Sequence, residues 1–153
     1  MPDSARLPSF AATPRTRIRR HPERAHYDRD TVFAILDAAL LCHVGYVIDG
    51  QPYVTPTLFW RDAERLYWHG SSASRMLRHQ RSGIPVCVTV SHIDGLVLAR
   101  SAFRHSLNYR AVMAFGTAAI VIRAARPPSQ ASSDLKCYSH ISTSAYASCA
   151  SKG

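Results

Sequence analysis

Two tight turns constrain this chain more than any other feature. Asp49-Gly50 and Arg61-Asp62-Ala63-Glu64 cut the stretch between residues 43 and 69 into three short runs. An Asp-Gly pair between such runs is a strong signal for a two-residue hairpin, because both residues tolerate left-handed backbone. The runs 43–48, 52–60 and 65–69 are rich in β-branched and aromatic residues, which suit a pleated sheet. Connections this short join only antiparallel neighbours. The centre of the chain is therefore expected to be a three-stranded antiparallel meander.

Helices are expected on either side of it. Val32, Ile35, Leu36, Ala39 and Leu40 recur at helical spacing and predict an amphipathic helix capped by Asp28 or Asp30. A second helix is predicted over 74–81, opening at Ser74-Arg75 and stopped by Gly83. Residues 85–91 read as a fourth strand. Asp94-Gly95 predicts another turn, with a short strand over 96–99, an irregular polar stretch over 100–110 and a long strand over 111–122 interrupted by Gly116. The expected class is α+β with a mainly antiparallel sheet. A sheet of this size hides its edges by curling into a barrel.

The length of 153 residues is that of one domain, and 46% hydrophobic residues is an ordinary globular content. Residues 1–26 form an Arg/Pro-rich arm without periodicity, expected to be disordered, and 27–123 carry the fold. Residues 124–153 hold eight serines and six alanines but no Val, Phe or Trp. They are expected to be a disordered tail. No apolar run approaches the length of about 18 residues that a membrane helix requires. The N-terminus shows no signal-peptide pattern, so a cytoplasmic protein without membrane attachment is expected. Cys42, Cys87, Cys137 and Cys149 form no CxxC pair; no metal site is expected. The net charge of +9 invites a nucleic-acid reading, but six arginines fall within the first 24 residues, while 29–123 holds ten arginines and six acids. The fold itself is only mildly basic, so specific nucleic-acid binding is not expected.

The chemistry-bearing stretch is LYWHGSSASRMLR, residues 66–78. It reads as a strand end, a small-residue turn and a helix start. The hydroxyls of Ser72 and Ser74 and the guanidinium of Arg75 are donors that suit a phosphate. Gly70 permits a tight turn or a close approach. An ordinary capped surface helix accounts for the same residues. His69 is the candidate proton-transfer group, against a structural strand-end histidine. No paired carboxylates or Ser-His-Asp arrangement support a hydrolase.

HVGYVIDGQPYVTPTLFWRDAERLYWHGSSASRML, followed by VCVTVSHIDGLVLARSAFRHSLNYRAVMAFG, resembles the FMN-binding split-barrel flavoproteins related to pyridoxamine 5′-phosphate oxidase. The similarity runs from about Arg19 to Thr117 and leans towards the branch that includes nitroimidazole reductases. It implies a homodimer with FMN at the subunit interface, acting on a small-molecule substrate as an oxidoreductase. Thr55, Pro56 and Thr57 would run beside the flavin ring, and Trp68 and His69 would approach it. Ser74 and Arg75 match the family's phosphate-binding pair, and Asn108, Tyr109 and Arg110 match a cofactor-reaching segment. The chain departs from the family after Thr117, where an acidic helix and further strands are usual. A truncated or altered ending is the expectation there. The alternatives are a non-catalytic module for flavin, deazaflavin or haem, and an inactive remnant.

Overall fold

The computed structural model describes residues 9–71, 73–123 and 136–150. The elements are β1 (Ala25–His26), α1 (Arg29–Asp37), β2 (Leu41–Ile48), β3 (Gln51–Asp62), β4 (Arg65–Gly70), α2 (Arg75–Gln80), β5 (Pro85–Val97), β6 (Ser106–Arg123) and β7 (Lys136–Ala150). The pairing order is β1-β7-β4-β3-β2-β5-β6, and β7 also pairs with β6. β7, second in that order, thus closes onto β6 at its far end, and the mainly antiparallel sheet has the split-barrel topology that the family resemblance implied. The chain divides into two compact units, 1–39 with 89–114 and 144–153, and 40–88 with 115–143.

The meander forms because its turns are local. Asp49 and Gly50 both take positive φ, 51° and 78°, as a two-residue hairpin between antiparallel strands demands. Ile48 then faces Gln51, and the register runs back to Leu41 opposite Leu58. The second turn sets Asp62 opposite Arg65 and Phe59 opposite Trp68. Ala63 carries it with a left-handed φ of 50°, and Arg61 Nη1 donates to the Ala63 carbonyl at 2.6 Å. The core of this unit is made by Cys42, Val44, Tyr46, Phe59, Leu66, Trp68, Leu77, Val86, Val88 and Ile141. Burial pushes the Cys42 thiol up to about 12, so it stays protonated and inert at neutral pH.

The other unit is built on α1, whose Val32, Ile35 and Leu36 are buried. Asp28 is the cap, accepting from the Thr31 N–H at 2.8 Å. The helix stops at Asp37, before the expected Ala39 and Leu40; Leu40 instead leads into β2, its carbonyl accepting from Phe59 N. Over residues 9–26 the arm is not the disordered segment expected from its composition; residues 1–8 lie outside the described residues. Phe10 is buried, packs edge-on against Phe33 at 5.9 Å, and lies under the Arg29 guanidinium. The Tyr27 hydroxyl donates to the Thr16 carbonyl and accepts from Ile18 N. One ring and one phenol therefore hold a segment that has no period of its own.

Two further expectations are corrected. Asp94-Gly95 makes no turn, and β5 runs through it to Val97. Asp94 instead holds Arg110 of β6 through paired bonds at 2.9–3.1 Å, and the reversal waits until the 3-10 turn at Ala102–Arg104. The tail is also structured over Lys136–Ala150. There it pairs with β4, Leu66 facing Ile141, and with β1, Ala25 facing Cys149. Backbone pairing supplies the order that side-chain hydrophobicity did not announce.

Asp28→Ala is expected to lower stability by about 1 kcal/mol in chemical denaturation, and Asp28→Asn by less. The bond from Thr31 holds the Asp28 carboxyl below its ordinary value. Its contribution is therefore complete above the ordinary aspartate range and is lost as pH falls through the lowered value.

Candidate cofactor-binding site

The corner that carries the candidate chemistry is assembled by β3, β4 and α2. Gly70 ends β4 because α2 packs against it: a Cβ there would lie 3.3 Å from Leu77 Cδ1. Ser74 takes extended backbone and caps α2, its Oγ accepting from Leu77 N at 3.2 Å. A capping hydroxyl used as an acceptor still has its proton to donate. Arg75 follows, exposed on the first turn. Its Nη1 donates to the Tyr53 hydroxyl at 3.2 Å, and its guanidinium carbon lies 5.4 Å over the Tyr53 ring. Ser72 lies outside the described residues.

Tyr53 belongs to a chain of polar contacts on the face of β3 that also carries Thr55 and Thr57. Its ring stacks on Tyr46 at 5.7 Å. The Tyr46 and Thr55 hydroxyls are 3.0 Å apart, and Thr57 Oγ1 donates to the His69 carbonyl at 3.1 Å. The fold thus links Thr55 to Arg75 through two tyrosines and Thr57 to His69. Pro56 alternates onto the opposite, exposed face, so it does not join the two threonines.

Trp68 and His69 cannot both face a ligand on one side of β4, since successive side chains point to opposite faces. Trp68 is fully buried, and its Nε1–H donates to Gln80 Oε1 at 3.3 Å. The expectation that it approaches a cofactor is corrected: it is a core residue that anchors α2. His69 is exposed on the other face, the face of Tyr67. Tyr67 stacks on Trp60 at 5.4 Å.

Asn108, Tyr109 and Arg110 lie at the start of β6 in the other unit. Asn108 Oδ1 is a buried acceptor with no partner among the described residues, suited to an N–H donor. The Arg110 Nε and Nη2 groups are bonded to Asp94, so Arg110 clamps β6 to β5. Arg110 in turn holds the Asp94 carboxyl below the ordinary carboxylate range. No group of three His, Cys, Asp or Glu positioned for a metal occurs among the described residues. No described helix is long and apolar enough to cross a membrane. Sequence reasoning missed Tyr53 and Gln80. The parity of β3, which puts Tyr53 on the face of Thr55 and Thr57, could have found the first.

A sheet closed by β7, with a Ser-Arg helix start beside β4, defines a split-barrel protein. Residues 28–135 match the family model described as pyridoxamine 5′-phosphate oxidase, and the chain belongs to that family. Its structure is similar to the flavocytochrome Anf3 from Azotobacter vinelandii, with 36% identity, a TM-score of 0.80, and coverage of 94% of this chain and 77% of that one. It is also similar to the FAD and heme binding protein from Mycobacterium smegmatis, at 27% identity and TM-score 0.73, covering 85% and 74%. An FAD binding protein from Mycobacterium smegmatis shares the fold at 10% identity, TM-score 0.60, covering 84% and 97%. No curated protein matches the sequence.

The Asp94 carboxyl is expected to titrate below the ordinary aspartate range by NMR. It should return to that range in Arg110→Ala, because the bonded guanidinium is the largest cause of the shift. The pair is thus complete above the ordinary aspartate range and is lost as pH falls through the lowered value.

Proposed function

We propose that this protein binds a flavin, FMN, through Ser74 and Arg75, and acts as an oxidoreductase on a small aromatic substrate in the manner of the nitroreductases. The observation that carries the reading is the exposed Arg75 guanidinium, seated on Tyr53 beside the Ser74 cap. A guanidinium and a hydroxyl in that arrangement suit the phosphate of a nucleotide end. The flavocytochrome that is 36% identical supports a flavin as the nucleotide. When bound, the flavin supplies the electron-transfer chemistry. The chain supplies anion binding at Ser74 and Arg75 and ring-side hydroxyls at Thr55 and Thr57; the exposed His69 imidazole lies on the opposite face of the sheet and is not assigned to this ring.

The functional form is proposed to be a homodimer in the cytoplasm, with the flavin at the subunit interface. Support comes from the outer face of β2 and β3. Leu41, Val47, Val54 and Leu58 are each at least half exposed there, and Leu41 lies directly opposite Leu58. Soluble monomers rarely leave a contiguous face of this kind open.

A second reading is favoured by the 27% identical protein that binds FAD and haem. In it this chain holds FAD, with haem as a second group. Exposed His69, on a face shared with Leu58 and Tyr67, would be the imidazole that holds the haem there. Absorbance of the purified protein separates the two: flavin bands that bleach with dithionite support both, and a Soret band supports only the second. A colourless protein that takes up neither FMN nor FAD would overturn the flavin reading.

Arg75→Ala is expected to weaken flavin binding by about 1.5–3 kcal/mol, the scale of a hydrogen bond to a charged group. Flavin fluorescence quenching measures it, and unchanged affinity removes Arg75 from the site.

A further inference from the structure

The arm carries the densest run of arginines in the chain. Between Arg15 and Arg24 stand five arginines and one acid, Glu23. Glu23 is engaged locally, its carboxylate 3.0 Å from His21 and 3.9 Å from Arg24. Arg17, Arg19 and Arg20 are exposed, and their guanidinium groups have no ion-pair partner among the described residues. Buried anchors fix where they stand. Thr16 is 2% exposed and closes a turn in which the Thr13 carbonyl accepts from the N–H groups of Thr16 and Arg17. The Tyr27 hydroxyl bonds the Thr16 carbonyl at 3.0 Å and the Ile18 N–H at 3.1 Å, one residue on each side of Arg17. Residues 16 and 18 are thus held inward, and Arg17 and Arg19 turn outward. A backbone fixed before contact has less entropy to lose when a partner arrives.

What accompanies the charge narrows the partner. Guanidinium groups in a row suit phosphate oxygens, which each can bond in pairs. No large apolar side chain between residues 9 and 39 is exposed, so the ridge lacks the anchors that an interfacial segment sinks into a membrane. Its aromatics, Phe10 and Tyr27, are engaged within the fold, so neither is offered to stack on unpaired bases. Charge alone remains, and it suits the dense, regular phosphates of a duplex. We propose that the arm is a docking ridge for double-stranded nucleic acid, with Arg17, Arg19 and Arg20 on backbone phosphates. Such contacts read no base, and they do not depend on a bound flavin.

The test uses the full chain and a fluorescein-labelled DNA duplex, read by anisotropy. Binding is expected to weaken at least about fortyfold between 50 and 200 mM salt, as three phosphate contacts require. A flat salt response, or a duplex left unbound at the lower salt, overturns the proposal. A second duplex of unrelated sequence should bind equally, and a clear preference overturns backbone-only contact. Arg17→Gln, Arg19→Gln and Arg20→Gln combined should lower the magnitude of the salt slope by about three and leave the melting temperature unchanged. The single variants, each lowering it by about one, carry the test should the combination misfold. Arg65→Gln, Arg78→Gln and Arg81→Gln remove the same charge elsewhere and should leave the slope unchanged. An equal loss there overturns the ridge, because net charge then accounts for the attraction. Tyr27→Phe keeps every charge and releases Thr16 and Ile18; it should weaken binding about fivefold, the scale of one hydrogen bond. Unchanged affinity in that variant overturns the role of the ordered arm. A single strand of the same sequence and vesicles of phosphatidylserine with phosphatidylcholine are the competing probes. Weaker binding to both supports the duplex, and tighter binding to either overturns it.

Discussion

The geometry of the corner depends on one buried bond, from the Trp68 indole N–H to the Gln80 amide oxygen. Both residues are fully buried. An indole donor inside a core needs an acceptor, or the desolvation cost of an unmade hydrogen bond falls on the fold. Gln80 supplies it from the last turn of α2, and Leu77 packs one turn earlier against Gly70. With those contacts made, α2 has one rotation about its axis, and that rotation puts Arg75 on the exposed side next to Tyr53. The Gln80 Nε2 has no partner among the described residues. The amide is therefore oriented by the indole alone, since a flipped amide would set two donors against each other.

How much of this was legible follows from how local each cause is. Asp49-Gly50 announces its hairpin because both backbone conformations are intrinsic to those residue types. Asp94-Gly95 looks the same in sequence yet lies mid-strand, because the Arg110 fork, sixteen residues away, claims the Asp94 carboxylate. Strand β7 was hidden for the opposite reason. A serine- and alanine-rich segment carries no period-2 hydrophobic pattern, and its order comes from the β4 edge that needed a partner. The arm was hidden because two isolated aromatics, Phe10 and Tyr27, decide its placement.

The candidate site divides along the same line. Ser74-Arg75 is a contiguous signal and was read directly. Trp68 and His69 were read together because they are adjacent, although adjacency in a strand separates side chains onto opposite faces. Tyr53 is twenty-two residues from Arg75. Only the β3–β4 pairing, which fixes what lies beside the helix start, brings them together.

That pairing also exposes an inversion in β3. Tyr53, Thr55 and Thr57 share the face of buried Cys42, Val44 and Tyr46, whereas Val54, Pro56, Leu58 and Trp60 look outward. A strand whose only role was to cover a core would alternate the other way, apolar inward and polar outward. Hydroxyls turned inward suit a polar ligand, and an apolar outward row suits a second surface laid against it. The flavin-binding dimer proposed above would take both properties from one strand. The inverted parity of β3 is the physical ground on which that proposal joins ligand binding to assembly.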